Sequence, residues 1–266
     1  MLQVDSGNIL GKGAVSIVMT GTFAKQPVAV KRFPLKDVHP KWRNAAECVE
    51  KMTALDHLNV VSVKYVHDDY DYDEDKDFRY VGMERCLVNL SDYCRRKYDG
   101  PMPNHHDGLV QLVSGLNYIH SQGFIHRRLT TNNILVSSLQ FKISDFGMTD
   151  PKSEYSMNAN GRPACMEAPE ILKLVQLSEG EKELHHTAAS DTFSLGCILA
   201  LFFTRGSHPF GSSWIYIPVN IIENNYNLKD DMPYEDIVEQ MIKNSPQERI
   251  SLDKILSILS RIFSPV

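Results

Sequence analysis

Between Asn8 and Phe33 the apolar and β-branched residues fall into three short runs, Ile9-Leu10, Val15 to Phe23 and Val28 to Phe33. Runs of that length and composition, separated by turn residues, predict a three-stranded meander. From Arg43 to Leu55 the period changes, with Ala46, Val49, Met52 and Ala54 at helical spacing. Two more strands are predicted at Val60 to Val66 and Phe78 to Met83, separated by Asp68-Asp69-Tyr70-Asp71-Tyr72-Asp73-Glu74-Asp75-Lys76-Asp77. The like charges of that stretch repel one another and predict a solvated hairpin loop. After Cys86 the pattern is mainly helical, clearest at Gly108 to Gln122, Ala189 to Thr204, Tyr234 to Lys243 and Leu252 to Phe263. A sheet followed by helices predicts an α+β fold of two lobes.

Composition changes this picture little. The chain has 266 residues, 42% hydrophobic and 23% charged, ordinary values for a globular protein with a sizeable core. Its 28 basic and 33 acidic residues leave a formal net charge of -5, so no polyanion-binding surface, and hence no nucleic-acid partner, is expected. Cys48, Cys86, Cys94, Cys165 and Cys197 are odd in number and lack CxxC spacing, which points away from a disulfide framework or a thiolate zinc site and towards a reducing, cytoplasmic setting. No basic segment followed by an apolar run opens the chain and no stretch reaches ~18 apolar residues, so neither secretion nor a membrane span is expected. His105-His106 and His185-His186 lack a third ligand at a recognisable spacing and are read as loop histidines.

The candidate chemistry begins at Gly11-Lys12-Gly13-Ala14-Val15-Ser16-Ile17-Val18, between two predicted strands. Glycines let backbone amides approach a phosphate closely. A dinucleotide fingerprint should lead from strand into helix and a Walker loop needs Gly-Lys-Ser/Thr; neither occurs here, whereas a glycine-rich hairpin over phosphates suits the strands. Lys31, in Val28-Ala29-Val30-Lys31, can reach inward from the third strand to those phosphates. Glu47 on the following helix is expected to pair with Lys31 and aim its ammonium, with Glu50 as the competing acid. Ser144-Asp145-Phe146-Gly147 follows the strand Phe141-Lys142-Ile143, which suits a Mg²⁺-binding carboxylate, and Asn133 would supply a second oxygen.

In this order and spacing the motifs resemble the eukaryotic protein-kinase family over nearly the whole chain. Ala168-Pro169-Glu170 looks like the family's segment closing the activation loop, and Asp191-Thr192-Phe193-Ser194-Leu195-Gly196 like the start of its buried central helix. Arg249 sits where the family places the arginine that pairs with Glu170. Within the family the chain is most similar in look to the unfolded-protein-response kinase/endoribonuclease and ribonuclease L, through Val28-Ala29-Val30-Lys31-Arg32, Gly115 to Ser121 and Gly206 to Gly211. No ribonuclease activity carries over, because the chain given stops where those relatives continue into a ribonuclease module.

The resemblance implies one kinase-like domain over residues 1–266, with a small antiparallel-sheet N-lobe (1–85) and a mainly helical C-lobe (86–266), and ATP and Mg²⁺ as cofactors. It implies Leu10, Gly11, Gly13, Val18 and Ala29 above the adenine and phosphates and Leu135 below. Met83 takes the gatekeeper position and Glu84 to Cys86 the hinge; Asn133 and Asp145 are the metal ligands. Cys86, with no adjacent cation, is read as packing. Ser153, Tyr155 and Ser156 are possible phosphoacceptors, with Arg127 available to a phosphate.

The pattern breaks in the catalytic loop, His126-Arg127-Arg128-Leu129-Thr130-Thr131-Asn132-Asn133. Arg128 stands where the family has the aspartate that accepts the substrate's proton, and a guanidinium cannot accept one. Thr130 stands where the family has a phosphate-neutralising lysine. The expectation is an impaired kinase that binds nucleotide and acts as a switch or scaffold on a protein partner, with a homodimer implied by the relatives. An active Ser/Thr kinase with an unusual loop and a scaffold that binds no nucleotide are the alternatives.

Overall fold

In the computed structural model, residues 2–13, 16–38, 43–146, 165–177 and 185–262 are described. Five antiparallel strands form the first sheet in the order β1-β2-β3-β5-β4: β1 (Leu2–Lys12), β2 (Ile17–Phe23), β3 (Gln26–Pro34), β4 (Val63–Asp71) and β5 (Lys76–Glu84). The first strand extends well beyond the Ile9-Leu10 pair read from the sequence. It is an exposed edge strand with two register shifts, so its residues carry no clean inside–outside alternation.

The acidic stretch is also more ordered than its charge suggests. Strands β4 and β5 continue to Asp71 and back from Lys76, leaving a short turn where a ten-residue loop was expected. Cations relieve the repulsion. Arg79, buried on β5, grips Asp68 through Nε at 2.7 Å and Nη2 at 2.8 Å, and Arg32 pairs with Asp71 and Glu74.

Helix α1 (Ala45–Thr53) packs beside β4, and its N-cap Asn44 accepts from the amides of Ala46 and Glu47. The second lobe contains α2 (Leu90–Cys94), α3 (His105–Ser121), α4 (Pro169–Leu177), α5 (Ala188–Phe203), α6 (Ile217–Ile222), α7 (Glu235–Met241) and α8 (Leu252–Ile262). A second sheet, β6 (Val88–Asn89), β7 (Ile134–Ser137) and β8 (Gln140–Ile143), lies in that lobe. Helix α3 starts a turn earlier than Gly108, where Asn104 accepts from the Asp107 amide at 2.8 Å. Gly108 itself sits against the sheet and α5, since a Cβ there would come within 2.5 Å of Phe202 and 2.9 Å of Phe141.

Every residue of α5 from Ser190 to Phe203 is buried, so the helix is the axle of the lobe and needs no polar face. Thr187 and Ser190 close its N-terminus with a capping box. Among the described residues no helix is long and apolar enough to cross a membrane. His105 packs edge-on to Phe202 and Phe203, and His106 Nδ1 lies 2.9 Å from the Tyr234 hydroxyl.

The expected Glu170–Arg249 pair is present. Arg249 Nη1 and Nη2 donate to the two Glu170 carboxylate oxygens at 2.7 and 2.6 Å, and the rest of the fork binds the carbonyls of Lys243, Ala189 and Asn244. The arginine side chain is 1% exposed and the glutamate 27%. Removing the glutamate therefore strands a buried cation. We predict that Glu170→Ala destabilises the chain by about 3–5 kcal/mol in urea unfolding, with Arg249→Lys milder because it keeps the charge; a midpoint unchanged in both variants would remove the pair from the stability account.

Candidate functional site

Strand β3 is central, and its Val28, Val30, Lys31 and Phe33 are buried. Lys31 is held inward with 4% exposure. Such a lysine must find an anion. It donates to Asp145 Oδ2 at 2.6 Å, with the Phe33 ring 5.6 Å from the ammonium.

Glu47 does not take the role expected of it. Its carboxylate is 2.5 Å from Lys51, one turn along the same helix, with the glutamate side chain 38% exposed. Glu50 is exposed as well. With Asp145 already on Lys31, the lysine's charge is satisfied from the other lobe and α1 keeps its acids in solvent.

Above the site, Gly13 N–H donates to the Ser16 carbonyl at 2.7 Å, closing the glycine-rich hairpin, whose tip residues Ala14 and Val15 lie outside the described set. Space is short there, since a Cβ on Gly13 would lie 2.8 Å from Ser16 Oγ. Gly11 has open space around it. Leu10 is 44% exposed at this rim, with Val18 and Ala29 half-buried on neighbouring strands and Leu135 half-buried on β7.

Met83 is buried at the end of β5, in register with Ala29 and Val63. Glu84 turns its carboxylate away from the rim, accepting the Ser62 amide at 2.7 Å and lying 2.9 Å from Lys142 Nζ on β8. Its own N–H donates to the Ser62 carbonyl. Among the described residues, the backbone groups of Arg85 and Cys86 are left without such bonds, which suits a hinge that presents them to a ligand. Burial, and then Glu84, push the Cys86 thiol up to about 12, so it is no nucleophile.

The loop from His126 to Asn133 is built on Asp191, which is 2% exposed at the start of α5. Its carboxylate accepts from the amides of His126 at 2.7 Å and Arg127 at 3.0 Å, and His120 Nε2 lies at 2.9 Å. This anchor holds Arg127 at φ 72°, in the left-handed region. Further along, the Arg128 amide donates to His126 Nδ1 at 3.3 Å, and Asn133 Nδ2 donates to the Arg128 carbonyl at 2.8 Å, leaving Asn133 Oδ1 available. Both Ser144 N–H and its hydroxyl donate to the Asn133 carbonyl, at 2.9 and 3.0 Å. Asp145 follows directly, at φ 66°. Phe146 is buried, edge-on to Phe124 and His126.

Burial alone would raise the Asp145 pKa, but the charges of Lys31 and Arg128 override it and hold the carboxyl below the usual range. The residues brought together are thus Lys31, Arg128, Asn133 and Asp145; Glu47 stands apart. Ser153, Tyr155 and Ser156 lie outside the described residues.

A model of the protein kinase domain matches residues 4–259. The chain belongs to the protein kinase family. Among curated relatives, serine/threonine-protein kinase/endoribonuclease IRE1 of Oryza sativa subsp. japonica is 30% identical over 90% of this chain and 28% of its own length. The corresponding ire-1 of Caenorhabditis elegans is 29% identical over 96% of this chain and 27% of its own length. The serine/threonine-protein kinase PLK4 of Xenopus laevis is 30% identical over 94% and 26%. The chain spans less than a third of the length of each. The family normally uses ATP with Mg²⁺.

Sequence reasoning missed the Lys142–Glu84 tie and the depth of the Asp191 anchor. A charged residue opening an otherwise apolar helix is the signal that could have revealed the second. Asp191 also sets an expectation for acid stability. Burial opposes its ionisation, yet His120 and His126 outweigh that and hold its pKa below the usual carboxylate range. A depressed carboxyl contributes stability that is present above the unfolded value near ~3.9 and lost as pH falls through the folded one. We predict that Asp191→Asn, which replaces one of the two accepting oxygens by an amide donor that faces a main-chain N–H, destabilises the chain by about 2–4 kcal/mol at pH 7 and flattens the stability loss below pH ~4. Urea titrations across pH read both effects, and an unaltered acid limb would assign that limb to other groups.

Proposed function

We propose that this kinase domain binds ATP but is impaired in phosphoryl transfer, and acts as a nucleotide-dependent switch or scaffold on a protein partner. One observation carries the reading: Arg128 occupies the loop position where a proton acceptor is required. Its backbone is held by His126 and Asn133 as tightly as a catalytic residue would need, but its side chain cannot accept a proton at physiological pH. Thr130, beside it, adds no phosphate-neutralising charge. The lobes are taken to divide between residues 85 and 86, and the setting to be cytoplasmic, with self-association a further route for the switch.

Nucleotide binding is supported by what is kept. The inward Lys31, the narrow Gly13 turn and the open hinge backbone of Arg85 and Cys86 each offer a group suited to ATP. Asn133 Oδ1 and the carboxylate of Asp145 are the oxygens that would hold Mg²⁺, which shields phosphate charge when bound. One carboxylate and one amide fit a metal arriving with the phosphates better than a resident one. The competing reading, an active Ser/Thr kinase, is favoured by the relatives, which are named serine/threonine-protein kinases.

Radiolabelled γ-phosphate transfer to the chain itself and to a generic protein substrate separates the two. A general base contributes about 10²–10⁴-fold, so turnover of roughly 10⁻⁴–1 s⁻¹ is expected against roughly 1–100 s⁻¹ for working kinases. Arg128→Asp with Thr130→Lys should raise the rate more than either change alone, because base and cation act on one transition state. Wild-type turnover in the ordinary range would overturn the impaired reading in favour of the active enzyme.

A further inference from the structure

Glu84 closes β5 where three parts of the chain meet. Its N–H donates to the Ser62 carbonyl at 3.0 Å and its Oε1 accepts the Ser62 N–H at 2.7 Å, so one residue takes both main-chain groups of its neighbour. The same oxygen lies 2.9 Å from Lys142 Nζ. Lys142 belongs to β8 and stands in register with Leu135 of β7. Residues opposite one another in an antiparallel pair project from the same face, which puts the lysine beside Leu135, the residue expected beneath the adenine. The Lys142 side chain is 11% exposed and that of Glu84 25%. An ammonium so far out of solvent needs its anion.

Glu84 is therefore held by its backbone and by its side chain at once. It cannot turn without giving up two hydrogen bonds and an ion pair. That clamp sets the direction of the next two residues, Arg85 and Cys86, whose main-chain groups are the ones offered to a ligand. Adenine carries an amino donor where guanine carries the O6 acceptor. A main-chain carbonyl suits the first and repels the second, and only a turned peptide would put an N–H in its place. A hinge free to turn takes either base, whereas a fixed one selects.

We propose that Glu84 and Lys142 form a positioning pair that fixes the hinge peptides and so makes the site select adenine over guanine nucleotides. The inference rests on the proposed nucleotide binding and adds to it the class of base and the residues that enforce it. Lys142 acts through Glu84, not by contact with the base. Its loss changes which base is accepted, a property that a merely structural tie does not control.

Titration calorimetry of the chain with ATP and, separately, with GTP, both in millimolar Mg²⁺, tests it. The wild type should bind ATP at least about tenfold more tightly than GTP. Lys142→Met should lower that ratio about threefold or more, by weakening ATP while GTP binding holds, and Lys142→Arg, which keeps a cation for Glu84, should preserve most of it. Thermal unfolding in the same buffers establishes that each variant is folded. If Lys142→Met does not fold because it strands Glu84, the double variant Glu84→Gln with Lys142→Met removes both charges and carries the same expectation. An unchanged ratio in a folded variant, or equal weakening of ATP and GTP, would make the pair a structural tie only and overturn the proposal, as would a wild type that binds the two nucleotides alike. A wild type that binds neither would overturn nucleotide binding and this inference together.

Discussion

The buried carboxylate of Asp191 is the constraint on which the site depends. It lies in the first turn of a helix that is buried from Ser190 to Phe203, so its position is fixed by packing. From there the order is passed by hydrogen bonds through the amides of His126 and Arg127, to Arg128 through His126 Nδ1, to Asn133, to Ser144 and so to Asp145 and Lys31. A buried carboxylate is costly unless its acceptors are filled. Here the donors are main-chain N–H groups and a histidine, which leaves the loop little freedom to sit elsewhere.

The same wiring explains how so large a side-chain change at position 128 coexists with an ordered loop. Arg128 takes part in the network through its amide and its carbonyl. Neither contact depends on what the side chain is. Chemistry and architecture are therefore separable at this residue, and a charge can be exchanged for its opposite without dismantling the turn around it.

Much of this was legible in the residues, for physical reasons that differ from place to place. Strands β2 and β3 announce themselves because one face is buried and β-branched residues recur; β1 does not, because an exposed edge strand has no inner face to pattern. The Glu170–Arg249 pair was legible through the motifs that carry its two partners. The partner of Lys31 was not: Glu47 and Asp145 are both acids within plausible reach, and the choice between them depends on where α1 sits and on Lys51 competing four residues away. The acidic hairpin was misjudged for a related reason, since like charges in sequence say nothing of the Arg32 and Arg79 that the fold brings beside them. The short helices α2 and α6, of five and six residues, are too brief for a period to establish itself.

The lobes are joined at more than the covalent hinge. Val61 N–H donates to the Ile143 carbonyl and Ile143 N–H to the Asn59 carbonyl, both at 2.9 Å, while Asn59 Nδ2 reaches the Phe141 carbonyl. Two bodies fastened along a line keep one easy movement, rotation about that line. The hinge at Glu84 to Cys86 and the junction at Asn59 to Val61 define such an axle, with Lys142 and Glu84 riveted across it. Bonds spaced along that line resist sliding and twisting of the sheet lobe more than they resist rotation about it.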